Sequence, residues 1–255
     1  MIRAKKSLGQ HFLSDPHYTR RIAESSLEAD TGNHLEIGPG TGVLTEYLYA
    51  GADHLTVIET DERLLEDLSR RFPKLEVIHA DILNFDWNKL SRLNPLAVTG
   101  NLPYYITSPI LFQILEARHI LEQAVVMIQR EVADRIVSQP STKAYGILSV
   151  QFQLFFNVER LCNVPRTVFK PVPNVDSSVL KLIPKTGKLS HVPEHTLRRL
   201  IRDAFARRRK TLQNNLKGNY DIERIPEQWR GRRAESFTPQ EFLKLAGYVF
   251  DTPSP

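Results

Sequence analysis

A regular alternation of short apolar strand patterns and helical patterns, between residues 34 and 137, constrains the fold most strongly. Strands are predicted at 34–37, 54–58, 75–80, 96–99 and 123–128. Helices are predicted at 43–50, 61–71, 108–117 and 131–137, after a first helix that opens at Pro16 and runs to about residue 29. Because consecutive strands separated by helices favour a parallel sheet, the sequence predicts a doubly wound α/β fold.

The pattern changes after about residue 145. Residues 148–158 are apolar and rich in Phe, and residues 177–183 alternate as a strand does, so the two are predicted to form an antiparallel pair completing the sheet. Residues 184–188 have the composition of a linker, and helical patterns follow at 195–217 and 239–250. The sequence therefore predicts two domains, 1–186 and 187–255.

Composition excludes several classes of protein. Hydrophobic residues are 41% and charged residues 25% of the 255, which is typical of a globular protein rather than a fibrous or disordered one. The longest aliphatic run, 124–128, is far shorter than the ~20 residues of a membrane span, and no secretory signal is visible. Cys162 is the single cysteine. These observations predict a cytoplasmic protein with no membrane partner.

Charge is concentrated towards one end of the chain. The net charge is +5, yet residues 184–233 contain 14 Lys/Arg against five Asp/Glu. A basic region of this kind suits a polyanion such as nucleic acid, and the alternative is a solvated helical face. In 207–210, four successive basic residues would surround a helix, so we expect some to bind phosphates and at least one to pair within the protein.

A glycine turn and two acidic residues follow the first three predicted strands. Gly38 and Gly40 allow positive φ and a close approach of a ligand to the backbone. Glu59 ends the next strand and can accept both hydroxyls of a ribose, and Asp81 after the third strand can accept an adenine amino group. Each feature alone also fits a tight turn or a helix N-cap. Together they predict an adenosine-containing ligand across the carboxyl ends of the sheet.

The fourth strand runs into Asn101-Leu102-Pro103-Tyr104. The nitrogen of an exocyclic base amine is a poor nucleophile because its lone pair is delocalised into the ring. The Asn101 side-chain oxygen and the Leu102 carbonyl can accept its two hydrogens and localise that pair. Pro103 biases Leu102 towards an extended backbone, and Tyr104 can stack on the base. The motif predicts methylation of a base amine without a strong general base.

These segments, together with 6–13 and 169–177, resemble the S-adenosylmethionine-dependent rRNA adenine N6-dimethyltransferases over nearly the whole chain. The resemblance implies a Rossmann-like class I methyltransferase with a small C-terminal α-helical domain that binds RNA, and S-adenosyl-L-methionine as cofactor. Residues 204–212 and 215–216 look like the branch that acts on small-subunit (16S) rRNA. That branch dimethylates two adjacent adenosines in a loop near the 3′ end, which implies 16S rRNA in the immature small subunit as partner of a monomeric enzyme.

The resemblance also assigns residues. Those assigned to cofactor binding are His11, Leu13, Gly38, Gly40, Glu59, Asp81 and Asn101. Those assigned to catalysis are Asn101, Leu102, Pro103, Tyr104 and Phe169. His11 and Leu13 would contact the methionine part of the cofactor, and Phe169 would hold the target base against Tyr104. His11 stands where many members of the family have Asn.

Alternatives stay open at this point. Phe169 can equally be a core residue, and no metal site is expected at 191–195 because Pro193 interrupts the histidine spacing. A methyltransferase of the erythromycin-resistance type shares the core motifs and would modify large-subunit rRNA. The segment 207–212 argues against this type. A protein that chiefly binds immature small subunits as an assembly factor is a third function.

Overall fold

The computed structural model describes Lys5, residues 9–187 and residues 190–250. The chain forms two compact units: the first runs through Ala133 and includes Val158–Pro184, and the second comprises Asp134–Asn157 and the chain from Lys185. The predicted domain boundary at 186 lies close to Pro184, where the chain leaves the first unit for the last time. The sequence did not predict that residues 134–157 belong to the second unit. Residues 6–8 of the N-terminal motif and Lys188 of the linker lie outside the described residues.

The elements of the described chain have the following bounds. The strands are β1 (Phe12–Leu13), β2 (Asn33–Ile37), β3 (His54–Glu59), β4 (Glu76–His79), β5 (Leu96–Asn101), β6 (Leu121–Gln129), β7 (Phe156–Val164), β8 (Phe169–Lys170) and β9 (Ser177–Pro184). The helices are α1 (Pro16–Leu27), α2 (Val43–Gly51), α3 (Glu62–Arg71), α4 (Thr107–Ala117), α5 (Arg130–Val137), α6 (Ile147–Phe155), α7 (Glu194–Ala204), α8 (Leu212–Leu216), α9 (Glu227–Arg230) and α10 (Pro239–Phe250). None of these helices has the length and apolar character needed to cross a membrane.

A seven-stranded sheet with the order β4-β3-β2-β5-β6-β9-β7 organises the first unit. Strands β4, β3, β2, β5 and β6 pair in parallel, and β9 pairs antiparallel with β6. The predicted parallel α/β sheet and the predicted strand at 177–183 are therefore confirmed, and this strand adds to the sheet antiparallel to β6. Because the parallel strands share one direction, their carboxyl ends lie at one edge, where a ligand site of this fold class is expected.

The prediction of a strand at 148–158 was wrong. Residues 147–155 form α6, and a strand begins only at Phe156. Ser149 at the start of this helix accepts a hydrogen bond from the Gly146 backbone N–H, 3.0 Å away. The helix packs against α7 and α10, and most of its side chains, including Val150 and Phe152, are buried. A helix buried nearly all round lacks amphipathic periodicity, so its pattern cannot be distinguished from that of a buried strand.

The continuous helix predicted at 195–217 is also interrupted. The structure has α7 and α8 with a turn at 205–211, while α10 matches the prediction at 239–250. The buried Asn215 donates from Nδ2 to the carbonyls of Ala204 (2.6 Å) and Arg207 (3.2 Å), and the Thr211 side chain caps α8. These bonds stabilise the turn, which places the basic segment 207–210 on a loop rather than around a helix.

Candidate active site

A cavity of about 290 Å³ lies at the carboxyl ends of β2, β3 and β5, inside the first unit. The predicted site residues that line it are His11, Leu13, Gly38, Gly40, Glu59, Asp81, Asn101, Leu102, Pro103 and Tyr104. These residues come from five separate stretches of the chain. The sheet brings them together because each stretch except the N-terminal one directly follows, or ends, a parallel strand.

The glycine turn after β2 has the backbone conformation that glycine favours. Gly38 has φ +66° and Gly40 has φ +56°. A Cβ on Gly40 would lie 2.9 Å from the Phe12 ring, so a side chain would collide there. A Cβ on Gly38 would meet no atom within 4 Å, so this position needs glycine for its backbone conformation and not for space. The turn is consequently closed by Phe12 on one side and open on the other.

Backbone N–H groups fix the Glu59 carboxylate at the end of β3. Its Oε1 accepts from the N–H groups of Thr60 (2.9 Å) and Asp61 (2.8 Å), and its Oε2 accepts from the N–H of Gly40 (3.2 Å). Burial raises the pKa of Glu59, and these three N–H bonds act in the opposite direction. A carboxylate held in this way can accept hydrogen bonds from the hydroxyls of a sugar without reorganising.

Asp81 is exposed and already serves as a cap. Its Oδ1 accepts from the Leu83 N–H and its Oδ2 from the Asn84 amide, each at 2.9 Å. The N-cap alternative therefore describes its present bonds. Each carboxylate oxygen still has a second lone pair, and the neighbouring Ile82 and Leu83 side chains line the cavity, which gives an apolar surface beside an acceptor.

Two buried acids beside the cavity had no predicted role. Glu36 is 1% exposed, accepts a 2.6 Å hydrogen bond from Thr45 Oγ1, and lines the cavity. Burial raises the pKa of Glu36 to about 8, and the nearby Glu59 adds to the shift. Asp61 pairs with Arg63 at 2.5 Å and accepts from Gln10 Nε2 at 3.0 Å. In the sequence, Glu36 opens the glycine motif that carries the family resemblance and Asp61 follows a predicted strand, but neither position was assigned a role.

The Asn101–Tyr104 segment forms one wall of the cavity. Asn101 Nδ2 donates to the His11 backbone carbonyl at 3.0 Å, and the Leu102 N–H donates to the Met127 carbonyl at 3.0 Å. The Tyr104 hydroxyl shares a 2.6 Å hydrogen bond with Ser177 Oγ. Burial raises the pKa of the Tyr104 phenol, which keeps it neutral. The segment is held by bonds to three other parts of the chain.

Phe169 is the one predicted site residue that the structure places elsewhere. Its side chain is fully buried in the apolar core with Leu13, Val125 and Met127. Strand β8 pairs antiparallel with β1, with Phe169 opposite Leu13, and this pairing accompanies the burial of both side chains. The core alternative describes this conformation, and a contact between Phe169 and a target base remains a prediction.

The comparison with known proteins gives the family. A family model described as ribosomal RNA adenine dimethylase matches residues 1–230. The chain belongs to this family. A curated protein of Prosthecochloris aestuarii named Ribosomal RNA small subunit methyltransferase A is 45% identical over 96% of this chain and 93% of that protein. The protein of the same name from Chlorobium limicola is 45% identical over 96% of this chain and 92% of its own length.

Two solved structures share the fold. A dimethyladenosine transferase from Plasmodium falciparum superposes with a TM-score of 0.80 at 28% identity, covering 92% of this chain and 96% of that chain. The 23S rRNA methyltransferase ErmE superposes with a TM-score of 0.67 at 29% identity, covering 91% and 99%. The predicted class I methyltransferase fold and the resemblance to the adenine dimethyltransferases are thereby confirmed.

S-adenosyl-L-methionine is the cofactor of this adenine dimethylase family. The chemistry of the cavity residues fits it: Glu59 offers a fixed acceptor for ribose hydroxyls, and Asp81 beside Ile82 offers an acceptor and an apolar surface for adenine. The open side of Gly38 leaves room against the backbone. Among the described residues, no cluster of His, Cys, Asp or Glu is placed to hold a metal ion.

Proposed function

We propose that this adenine dimethylase transfers methyl groups to N6 of two adjacent adenosines in the 3′-terminal hairpin loop of 16S rRNA, in the immature small ribosomal subunit. The observation that carries the proposal is that Asn101 and Tyr104 line the same cavity as Glu59 and Asp81. A base amine at the first pair and a methyl donor at the second would therefore meet. Two relatives at 45% identity, named small subunit methyltransferases, support the choice of subunit.

S-adenosyl-L-methionine, when bound, supplies an electrophilic methyl group. The chain's own residues prepare the acceptor. The Asn101 side-chain oxygen and the Leu102 carbonyl accept hydrogen bonds from the adenine amine, two before the first transfer and one before the second, so its lone pair localises on the nitrogen. The nitrogen releases one proton to solvent for each methyl group that it gains. Tyr104 stacks on the base, a contact worth about 1–3 kcal/mol. Positioning of the two reactants supplies much of the rest, for which about 7–11 kcal/mol is available.

The turn at 205–211 in the second unit presents cations for RNA. Arg209 and Lys210 are exposed. Arg208 is exposed as well, but it forms an ion pair with Glu235 at 3.0 Å and donates to the Lys143 carbonyl, so at least one of the four basic residues pairs within the protein. We assign the exposed cations to contacts with phosphates, which position an RNA without reading its sequence.

A target adenosine must leave any stack to reach a pocket, which favours an unpaired loop.

The setting of the reaction belongs to the same proposal. We propose that the protein acts as a monomer in the cytoplasm, where immature ribosomal subunits would be its substrate. The single cysteine, Cys162, is half-buried, and burial raises the pKa of its thiol. A thiol of this kind is poorly reactive, as suits a reducing compartment without disulfides.

The test is methyl transfer from labelled S-adenosyl-L-methionine to small subunits that lack this modification, followed by nucleoside analysis. We expect N6,N6-dimethyladenosine in 16S rRNA, and no label with Glu59→Ala under the same conditions. Large subunits serve as the matched substrate control. Transfer to large-subunit RNA alone would move the assignment to the erythromycin-resistance type. Cofactor binding without transfer to either subunit would favour an assembly factor.

A further inference from the structure

We infer that His11 is a positioning residue for methyl transfer: its backbone carbonyl sets the orientation of the Asn101 amide, and its side chain holds that carbonyl in place. The inference rests on the proposed function, in which Asn101 accepts a hydrogen of the adenine amine. It differs from the prediction that the His11 side chain contacts the methionine part of the cofactor. The two roles have different kinetic consequences.

The first step concerns the two ends of the amide. Asn101 Nδ2 donates to the His11 carbonyl at 3.0 Å. A backbone carbonyl can only accept, so the amide nitrogen must face it, and Oδ1 is left for the substrate. Rotation of the amide by 180° would place two oxygens against each other and turn a donor towards the amine, which needs an acceptor. The His11 carbonyl therefore selects the catalytically useful orientation.

The second step concerns what holds the carbonyl. His11 Nδ1 lies 2.7 Å from the Pro171 carbonyl, and because that oxygen only accepts, the ring must donate from Nδ1. Phe12 and Leu13, which follow His11, pair antiparallel with β8. The His11 side chain and the two residues after it are thus both hydrogen-bonded to the segment 169–171. These bonds on either side hold the backbone carbonyl of His11 in place.

The third step concerns Tyr104. The His11 ring stacks on the Tyr104 ring, with centroids 5.5 Å apart and planes inclined by 26°. The Tyr104 hydroxyl is bonded to Ser177 at the other end of its side chain. One residue of the N-terminal segment thus contacts both groups that would meet the target base, the Asn101 amide by its carbonyl and the Tyr104 ring by its imidazole. Loss of the imidazole should disturb both.

The sharpest test replaces Asn101 by Asp. If the site needs only an acceptor, the carboxylate of Asn101→Asp should support methyl transfer at pH 8 as well as the amide does. If the His11 carbonyl selects the orientation, the carboxylate repels that carbonyl, and kcat should fall by about 10²–10³-fold, as when one transition-state hydrogen bond is lost. Lowering the pH should then restore part of kcat, because a protonated carboxyl donates to His11 and accepts with its other oxygen.

The wild-type pH profile is the control for this recovery. The other titratable side chains that line the cavity are His11, Glu36, Glu59, Asp81, Tyr104 and Tyr105. Their contribution appears in both profiles, so the ratio of variant to wild-type kcat isolates the new carboxyl. A ratio near one at pH 8, or a ratio that does not rise as the pH falls, would overturn the inference.

Side-chain variants of His11 provide an independent test. We expect His11→Ala to lower kcat about 10-fold or more with an unchanged Kd for S-adenosyl-L-methionine, and His11→Asn, whose amide can donate to Pro171, to recover most of kcat. In an Asn101→Ala background, His11→Ala should lower kcat by a smaller factor than it does in the wild type, because only its effect through the Tyr104 ring remains. A raised Kd with unchanged kcat, or fully additive losses, would contradict the positioning role.

Two measurements separate the inference from the proposed function. Thermal midpoints of each variant show whether it folds, and wild-type transfer to unmethylated small subunits shows whether the substrate is right. An inactive wild-type protein would overturn the proposed function and the inference with it. An active wild-type protein whose Asn101→Asp variant is equally active at pH 8 would overturn the inference alone.

Discussion

Replacing Glu36 by Gln should stabilise the protein at alkaline pH. Glu36 is 1% exposed, and burial raises its pKa from an ordinary value of 4.5 to about 8. A raised pKa in the folded state means that the neutral acid fits the fold better than the carboxylate does. The contribution to stability is therefore complete below pH 4.5 and is lost as the pH rises through 8. Gln is neutral at every pH and keeps an oxygen for the Thr45 hydroxyl, which now donates to Glu36 at 2.6 Å.

The magnitude follows from the two pKa values. Each unit of difference corresponds to about 1.4 kcal/mol, so the wild-type protein should lose about 3 kcal/mol between pH 6 and pH 9 through Glu36 alone. For a domain of this size about 1 kcal/mol moves the thermal midpoint by about 2–4 °C. The gain of Glu36→Gln over wild type should consequently be about 5–10 °C larger at pH 9 than at pH 6.

Thermal unfolding of wild type and Glu36→Gln at both pH values, without cofactor, measures this difference directly. Glu46→Gln is the matched control, because it changes a carboxyl on α2 whose side chain is 69% exposed. Its midpoint should follow that of wild type at both pH values. A Glu36→Gln gain that is the same at pH 6 and pH 9 would refute the claim that burial holds Glu36 in its protonated form.

Three further predictions concern the cofactor, the RNA and the core. Glu59→Gln would place an amide NH₂ against the N–H of Gly40, which now donates to the carboxylate. The affinity for S-adenosyl-L-methionine, measured by calorimetry, should therefore fall about 10–100-fold. An unchanged affinity would contradict a contact between Glu59 and the ribose. Arg209→Ala should lower the magnitude of the slope of log RNA affinity against log salt concentration by about 0.7–0.9. Arg208→Ala, which loses the ion pair with Glu235, should leave that slope unchanged. The same slope in both variants would contradict the assignment of Arg209 to a phosphate contact. Phe169→Ala should destabilise the protein by about 3–5 kcal/mol, because its side chain is fully buried. The milder Phe169→Leu separates the two roles of this residue: a loss of kcat at a nearly unchanged thermal midpoint would support stacking on the base, whereas wild-type kcat would limit Phe169 to the core.

The sequence predicted the parallel sheet and the convergence of the cavity residues. Gly38, Glu59, Asp81 and Asn101 each end or follow a parallel strand, and the cavity brings them together. The residues after these strands meet because parallel strands end at the same edge of the sheet, and no detail of side-chain packing is needed to predict it. A periodic pattern that identifies the strands therefore also identifies the edge at which the residues after them meet.

Other features could not be predicted because they depend on contacts between distant parts of the chain. The helix α6 resembles a strand in sequence because its neighbours bury it nearly all round, and the turn at 205–211 is fixed by Asn215 from beyond it. Pairing with β1 places Phe169 in the core. The raised pKa of Glu36 follows from its burial.

The orientation of the Asn101 amide shows most clearly which features the sequence specifies and which depend on the tertiary structure. The motif at 101–104 specifies the chemical groups, and its place at the end of a strand specifies which edge of the sheet they occupy. Which atom of the amide faces the substrate depends on the His11 carbonyl, 90 residues away in the chain and 3.0 Å away in space. A local pattern specifies residue types and strand ends, whereas the pairing of a donor with an acceptor requires both positions in three dimensions.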